Sequence, residues 1–155
     1  MKIVFTVWFG LIIMAHAQDR VRVDFLAEDS EAPVFSLPEE QNNYFSLRDF
    51  CRPELRKPGI NREKQVFVLS FFATWCLPCE IEMPFLMQRK ERYEKQAVKF
   101  FLINVAGEKQ KMLSYDKKKP FNVPVLFDPY KIVSEKHGVH TLPGLVVIDP
   151  GPGPT

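Results

Sequence analysis

The sequence has few cysteines, no excess of charge of either sign and no apolar run long enough to cross a membrane. Three of its 155 residues are cysteine, and 21 basic side chains stand against 19 acidic ones. The basic residues form no stripe beyond the short run at residues 117–119, so a nucleic acid is not indicated as the partner. Apart from the terminal PGPGPT, the sequence contains no repeat or low-complexity segment. The length and the 46% hydrophobic content fit one globular domain.

The first residues predict an export signal. Lys2 supplies a positive start, residues 3–14 form an apolar run, and AHA at residues 15–17 offers a cleavage site of small residues. The run is shorter than the ~20 residues of a spanning helix, and no cysteine follows it for lipid attachment. We therefore expect residues 1–17 to be a signal peptide cleaved after Ala17, and the protein to act in the periplasm or otherwise outside the cytoplasm. Thiols in such compartments tend to pair.

Hydrophobic patterning predicts an α/β domain over residues 32–149, between a flexible lead-in at residues 18–31 and a disordered end at residues 150–155. The predicted elements are a hairpin in PVFSLPEEQNNYFSL, a strand QVFVLSFF, a helix from Leu77 to about residue 96, a strand VKFFLINV, a polar helix EKQKMLSYDKKK, a strand VPVLFD, a helix YKIVSEKHG and a strand GLVVID. This alternation predicts a sandwich with helices on both faces of a sheet.

Two of the cysteines, in SFFATWCLPCEIEMP, fall between a predicted strand and the first turn of a helix. A thiol at a helix N-terminus faces unpaired N–H groups and the positive end of the helix dipole, which favours its thiolate. Cys76 is therefore the predicted nucleophile. Cys79 lies on the same helix face and can attack a mixed disulfide formed by Cys76. Pro78 stiffens the helix start, and Trp75 offers a flat apolar surface beside the sulfur.

Other uses of this pair stay open on the residues alone. A disulfide with a purely structural role would close a short loop and remove little entropy from the unfolded chain. A copper-binding metallochaperone would hold Cu(I) with the two thiolates and His140. A zinc site needs more ligands, and the remaining candidates lack zinc-site spacing. These candidates are Cys51, His16, His137 and His140.

The segment FVLSFFATWCLPCEIEMPFL resembles the active-site segment of the thioredoxin superfamily, in particular its exported TlpA/ResA-like branch. APVFSL and FSLRDF resemble the N-terminal hairpin of that branch, and VLFDPYKIVSEKHGVHTLPGLVVID its later block. The resemblance covers residues 32–149 and implies a thioredoxin-like three-layer α/β sandwich with an N-terminal β-hairpin. It also implies a protein-disulfide reductase type of oxidoreductase, in which Cys76 attacks, Cys79 resolves and the two form a disulfide.

The resemblance implies roles for neighbouring residues. Pro143 would be a cis-proline facing the cysteine pair, and the backbone of Leu142 would pair with an extended substrate. Glu82 matches an acidic residue of the branch and is placed to take or relay the proton of Cys79. The alternative for Glu82 is a solvated acid near a helix N-terminus, which is the role predicted for Glu80.

The resemblance implies no cofactor and no metal. The implied partners are an exported protein that carries a disulfide and a membrane-bound thiol reductase that restores the pair. The implied direction is reduction, for instance of haem-attachment cysteines during cytochrome c maturation. A peroxidase of the peroxiredoxin type is not favoured, because it requires threonine three positions before the reactive cysteine, where Ala73 stands.

Some features depart from the branch. Gly144 stands where a hydroxyl residue is usual, and the segment at residues 51–64 is longer than expected. Too few residues follow GLVVID for a last strand and helix, so we expect both to be missing. A fragment of a longer protein or a non-functional paralogue is therefore a further alternative. Outside the motif, Cys51 is predicted to be a small buried hydrophobe and His137 a helix C-terminal capping residue.

Overall fold

The computed structural model describes residues 31–51, 58, 65–93, 95–118 and 120–149. The expected signal peptide, residues 18–30 of the lead-in, the end at residues 150–155 and most of the long segment at residues 51–64 lie outside the described residues. Among the described residues, no helix combines the length and apolar character that a membrane span requires.

The described helices and strands follow one another in the predicted order. They are β1 (Ser36–Pro38), β2 (Tyr44–Ser46), β3 (Val66–Phe72), α1 (Leu77–Tyr93), β4 (Val98–Val105), α2 (Lys109–Lys118), β5 (Val125–Asp128), α3 (Ile132–Lys136) and β6 (Gly144–Ile148), with a 3₁₀ helix (Leu47–Phe50) after β2. The helices α1 and α3 differ most from their predicted bounds. The helix α1 ends at Tyr93, whose carbonyl accepts the N–H of Gln96 in a turn. The helix α3 starts late because Lys131 takes a left-handed φ of 59°.

The main sheet has the strand order β5-β4-β3-β6. The strands β3, β4 and β5 run parallel, and β6 is antiparallel to β3. Parallel neighbours need a crossover connection, which α1 supplies between β3 and β4 and α2 between β4 and β5. The strands β3 and β4 occupy the centre and are covered on both faces, so their sequences are continuous apolar runs rather than alternating ones.

Two hydrophobic clusters fill the spaces on the two faces of the sheet, which confirms the three-layer architecture. The helix-side cluster lies beneath α1 and α2 and contains Phe72, Ala73, Cys76, Cys79, Leu86, Phe100, Leu102, Met112, Val123 and Phe127. The hairpin-side cluster lies beneath the β1–β2 hairpin and α3 and contains Phe35, Leu37, Phe45, Leu47, Phe67, Leu69, Phe71, Phe101, Ile103, Val105, Leu126, Val133, Val146 and Ile148. The cysteine pair thus belongs to one layer only.

The two edge strands of the sheet, β5 and β6, have different neighbours. At one end, the hairpin reaches β5 through an isolated bridge between Glu39 and Leu126. At the other end, β6 has β3 as its paired neighbour among the described residues. Val147, on the helix-side face of β6, remains 59% exposed.

Polar groups mark both ends of α3, which leads into the Leu142–Pro143 loop. The Asp128 carboxylate is buried and accepts the N–H groups of Val133 and Ser134 at 3.1 and 2.8 Å. His137 is the C-cap residue, and its Nδ1 lies 2.8 Å from the carbonyl oxygen of Val133. The predicted capping role of His137 is therefore confirmed. Gly138 follows with a φ of 69°, a left-handed conformation that glycine adopts without strain.

Candidate active site

The cysteine pair lies at the junction between β3 and α1. Cys76 precedes the first helical residue, and Cys79 lies in the first turn, with a Cα–Cα distance of 5.3 Å across a disulfide between them. The backbone N–H of Cys79 donates a hydrogen bond to Cys76 Sγ at 3.2 Å. The Cys76 sulfur therefore receives one of the N–H groups that an α-helix leaves unpaired at its start, as the strand-to-helix junction predicted.

Exposed apolar residues flank the two buried cysteines in the sequence. Cys76 and Cys79 are 4% and 3% exposed, whereas Trp75 and Leu77 are 70% and 67% exposed. Pro78 is also exposed. The residues next to the cysteines thus present an apolar rim to solvent, formed by Trp75, Leu77 and Pro78.

The loop before β6 completes the other side of the site. The Leu142–Pro143 peptide bond is cis, as the family resemblance implied. Leu142 packs against the helix-side cluster that contains both cysteines. Leu142 and Trp75 also line one cleft of about 150 Å³, together with His140 and the oppositely charged Lys131 and Glu135. The structure thus brings Trp75, the residue before Cys76, and Leu142, the residue before Pro143, to one surface.

The two glutamates of α1 have different surroundings. Glu82 is half-buried, and burial raises the pKa of its carboxyl above the ordinary value of 4.5. A raised pKa makes the carboxylate a better proton acceptor, which suits proton transfer. The predicted solvated role of Glu80 is wrong. Its side chain is half-buried, and its Oε1 accepts a hydrogen bond of 2.6 Å from the hydroxyl of Tyr115 on α2.

Tyr115 is a residue near the site that the sequence did not reveal. It lies 35 positions after Glu80 in a polar helix, so no local motif connects the two residues. Burial, the hydrogen bond to Glu80 and the charge of Glu80 together raise the pKa of Tyr115 to about 12. The one signal available was its spacing three residues after buried Met112, which places both residues on one face of α2.

The remaining cysteine and histidines lie in varied surroundings. Cys51 is half-buried against the hairpin-side cluster, so the predicted burial is confirmed in part, and its thiol donates to the carbonyl of Leu47 at 3.2 Å. His137 is fully buried, and burial lowers its pKa below 6.5. His140 is exposed. Across the described ranges, no three His, Cys, Asp or Glu side chains gather as a metal site would require.

The fold and the disulfide at the start of α1 define a thioredoxin-like protein. A sequence model of the AhpC/TSA family matches residues 29–151, and the chain belongs to this family. Two solved structures confirm the thioredoxin-like fold. A putative thiol:disulfide interchange protein DsbE from Chlorobium tepidum superposes with a TM-score of 0.64 at 24% identity, over 78% of this chain and 77% of the other. A thioredoxin domain of a Bacteroides vulgatus thiol-disulfide oxidoreductase gives a TM-score of 0.65 at 16% identity, over 81% and 83%.

Relatives by sequence confirm the resemblance to the ResA-like branch. The thiol-disulfide oxidoreductase ResA of Geobacillus thermodenitrificans is 32% identical over 124 residues, which are 80% of this chain and 64% of the relative. The protein of the same name from Bacillus subtilis is 29% identical over 125 residues, which are 81% of this chain and 63% of the relative. The chain therefore spans just under two thirds of the length of these relatives.

Proposed function

We propose that the protein is a thiol–disulfide oxidoreductase in which Cys76 is the nucleophile and Cys79 the resolving cysteine. The observation that carries this proposal is the Cys76–Cys79 disulfide at the first turn of α1, with the Cys79 N–H directed at Cys76 Sγ. The name thiol-disulfide oxidoreductase, which both ResA relatives carry, supports the same activity.

The reaction proceeds in two exchange steps from the reduced protein. The Cys76 thiolate attacks one sulfur of a substrate disulfide, forms a mixed disulfide and releases the other substrate sulfur as a thiolate. Cys79 then loses its proton and attacks Cys76 Sγ, which releases the second substrate sulfur and forms the Cys76–Cys79 bond. The substrate gains two electrons and the cysteine pair loses two. An external thiol reductant returns those electrons before the next cycle.

Neighbouring residues serve these steps. Glu82, three positions after Cys79 and with a pKa raised by burial, takes or relays the proton that Cys79 loses. The apolar rim of Trp75, Leu77 and Pro78 contacts apolar side chains of the substrate. The backbone of Leu142 pairs with an extended substrate segment, as in other recognition by strand addition.

The branch and the N-terminal sequence support the proposed substrate, direction and location. We assign the reducing direction, an exported protein that carries a disulfide as the substrate, and a membrane-bound thiol reductase as the electron source. Haem-attachment cysteines of c-type cytochromes are the substrate class that the branch suggests. Export rests on the signal sequence expected at residues 1–17. The reaction needs no cofactor, because both sulfurs belong to the chain.

Trapping of the mixed disulfide tests the mechanism. Cys79→Ser leaves the attack intact and removes the second step, so covalent complexes with an exported disulfide protein should accumulate on non-reducing gels. Cys76→Ser should trap nothing. Both variants carry Cys51→Ser, so that the third thiol contributes no complex, and far-UV circular dichroism checks that each is folded. A metallochaperone or a structural disulfide uses the two sulfurs alike, so equal trapping by folded variants, or none, overturns the proposal.

A further inference from the structure

The first turn of α1 carries a carboxylate close to the proposed nucleophile. Glu80 follows Cys79 directly, and its backbone N–H donates to the carbonyl oxygen of Cys76 at 3.3 Å. Residues four apart lie on one side of a helix with their side chains adjacent, and helical side chains lean toward the N-terminus. A negative charge that leans toward Cys76 would oppose formation of the thiolate and raise the pKa of the thiol.

The Glu80 carboxylate is instead directed toward α2. Its Oε1 accepts the hydrogen bond from the Tyr115 hydroxyl at 2.6 Å, a distance typical of a strong bond to a charged acceptor. With a pKa of about 12, the Tyr115 hydroxyl keeps its proton at every pH at which thiols exchange in cells. The donor is therefore always present, and the Glu80 carboxylate has a partner on the α2 side.

The Tyr115 ring is itself held in place by aromatic contacts that lead back to the site. Tyr115 stacks on Phe121, with ring centroids 5.7 Å apart and an interplanar angle of 21°. Phe121 meets Phe72 edge-on, with centroids 5.6 Å apart. Phe72 ends β3, four residues before Cys76. The hydroxyl therefore has a defined position relative to the start of α1, because each ring packs against the next.

We propose that Tyr115 is a positioning residue for the exchange reaction: its hydroxyl holds the Glu80 carboxylate toward α2 and away from Cys76 Sγ, which favours the Cys76 thiolate and the reduced form of the pair. The inference rests on the proposed role of Cys76 as the nucleophile. Reduction of the disulfide takes up two electrons and leaves one thiolate and one thiol when a single proton is bound. Any interaction that favours this thiolate raises the reduction potential.

Two single variants and their combination test this role. Tyr115→Phe keeps the ring and removes the donor, so the pKa of Cys76 should rise by about 1. The equilibrium constant for reduction should fall by up to about tenfold, which corresponds to about 30 mV. Glu80→Gln should lower the pKa of Cys76, because it removes the negative charge. The double variant should match Glu80→Gln, because Tyr115 acts only through that charge.

The measurements are the alkylation rate of Cys76 against pH, in a Cys51→Ser/Cys79→Ser background, and the equilibrium of the intact pair with glutathione. The matched control is Tyr93→Phe, which removes a hydroxyl from another tyrosine packed against the helix-side cluster and should change neither value. If Tyr115→Phe changes neither the pKa nor the equilibrium, or changes them equally with and without Glu80, the positioning role is wrong. Such a result leaves the proposed function standing, since that depends on trapping by Cys79→Ser.

Discussion

The backbone N–H of Cys79 lies 3.2 Å from Cys76 Sγ and donates its hydrogen bond to that sulfur. The donor belongs to the first turn of α1, so its position is set by the helix and not by a mobile side chain. We therefore expect this donor to stay near Cys76 when the disulfide is reduced and Cys76 becomes a thiolate. Cys79 already lies inside α1, so its sulfur does not have the position just before the helix that the Cys76 sulfur has.

We expect this asymmetry to appear as a difference in acidity between the two thiols. In a Cys51→Ser/Cys79→Ser variant, Cys76 should ionise well below the ~8.5 of a free cysteine, within the range of ~3.5 to ~7.5 seen at helix N-termini. In the matching Cys51→Ser/Cys76→Ser variant, Cys79 should stay protonated to higher pH. Alkylation rates measured against pH give both values. A Cys76 midpoint equal to that of a model thiol would contradict its assignment as the nucleophile.

The second prediction concerns Gly144, which stands where the branch usually has a hydroxyl residue. A Cβ at this position would overlap Cγ1 of Val139, and valine has few alternative rotamers into which to move. Gly144→Ser should therefore lower the free energy of unfolding by ~1 to ~3 kcal/mol, as overpacking does. In Val139→Ala the methyl groups are gone, and the same serine should cost much less. Urea unfolding of the two single variants and the double variant measures the coupling, and simple additivity would refute the overlap.

The third prediction concerns pH and the buried His137. Burial lowers its pKa in the folded protein below 6.5, whereas in the unfolded chain it keeps an ordinary value, so the unfolded chain binds the proton more tightly. The free energy of unfolding should therefore fall as the pH drops below about 6.5, by at most ~1.4 kcal/mol per pH unit, and level off below the lowered value.

His137→Gln should remove that slope and keep a donor for the Val133 carbonyl. His140→Gln is the control, because His140 is exposed and its loss should leave the slope unchanged. The test is urea unfolding of the three proteins at pH 7.5 and at pH 5.5, compared within each protein. An unchanged slope in His137→Gln would show that other groups govern stability in this interval.

The secondary structure could be predicted from the sequence largely because its signals are local. The buried strands β3 and β4 appear as continuous apolar runs, and the cysteine motif marks the start of α1. The late start of α3 was not predictable, because it depends on the left-handed Lys131. A lysine in the sequence does not indicate a left-handed conformation, which is more usual for glycine or asparagine.

The site was predictable only where residues adjacent in sequence act together. The cysteine pair and Trp75 lie within one short segment, and the position of Pro143 followed from resemblance. The contact between Glu80 and Tyr115 depends on how α1 and α2 lie side by side on the sheet, and a polar helix contains little periodicity to show which face turns inward. The burial of Cys51, in contrast, was expected from its residue type alone, and its packing against the hairpin-side cluster confirms that expectation in part.

Leu142 is in contact with both hydrophobic clusters, one on each face of the sheet. Its side chain therefore connects the layer that holds the Cys76–Cys79 pair with the layer on the opposite face of the sheet. A change of volume beneath the hairpin, remote from either sulfur, can displace the backbone that is proposed to receive the substrate. Substitutions in the hairpin-side cluster can therefore alter substrate fit while leaving the sulfur atoms of Cys76 and Cys79 in place.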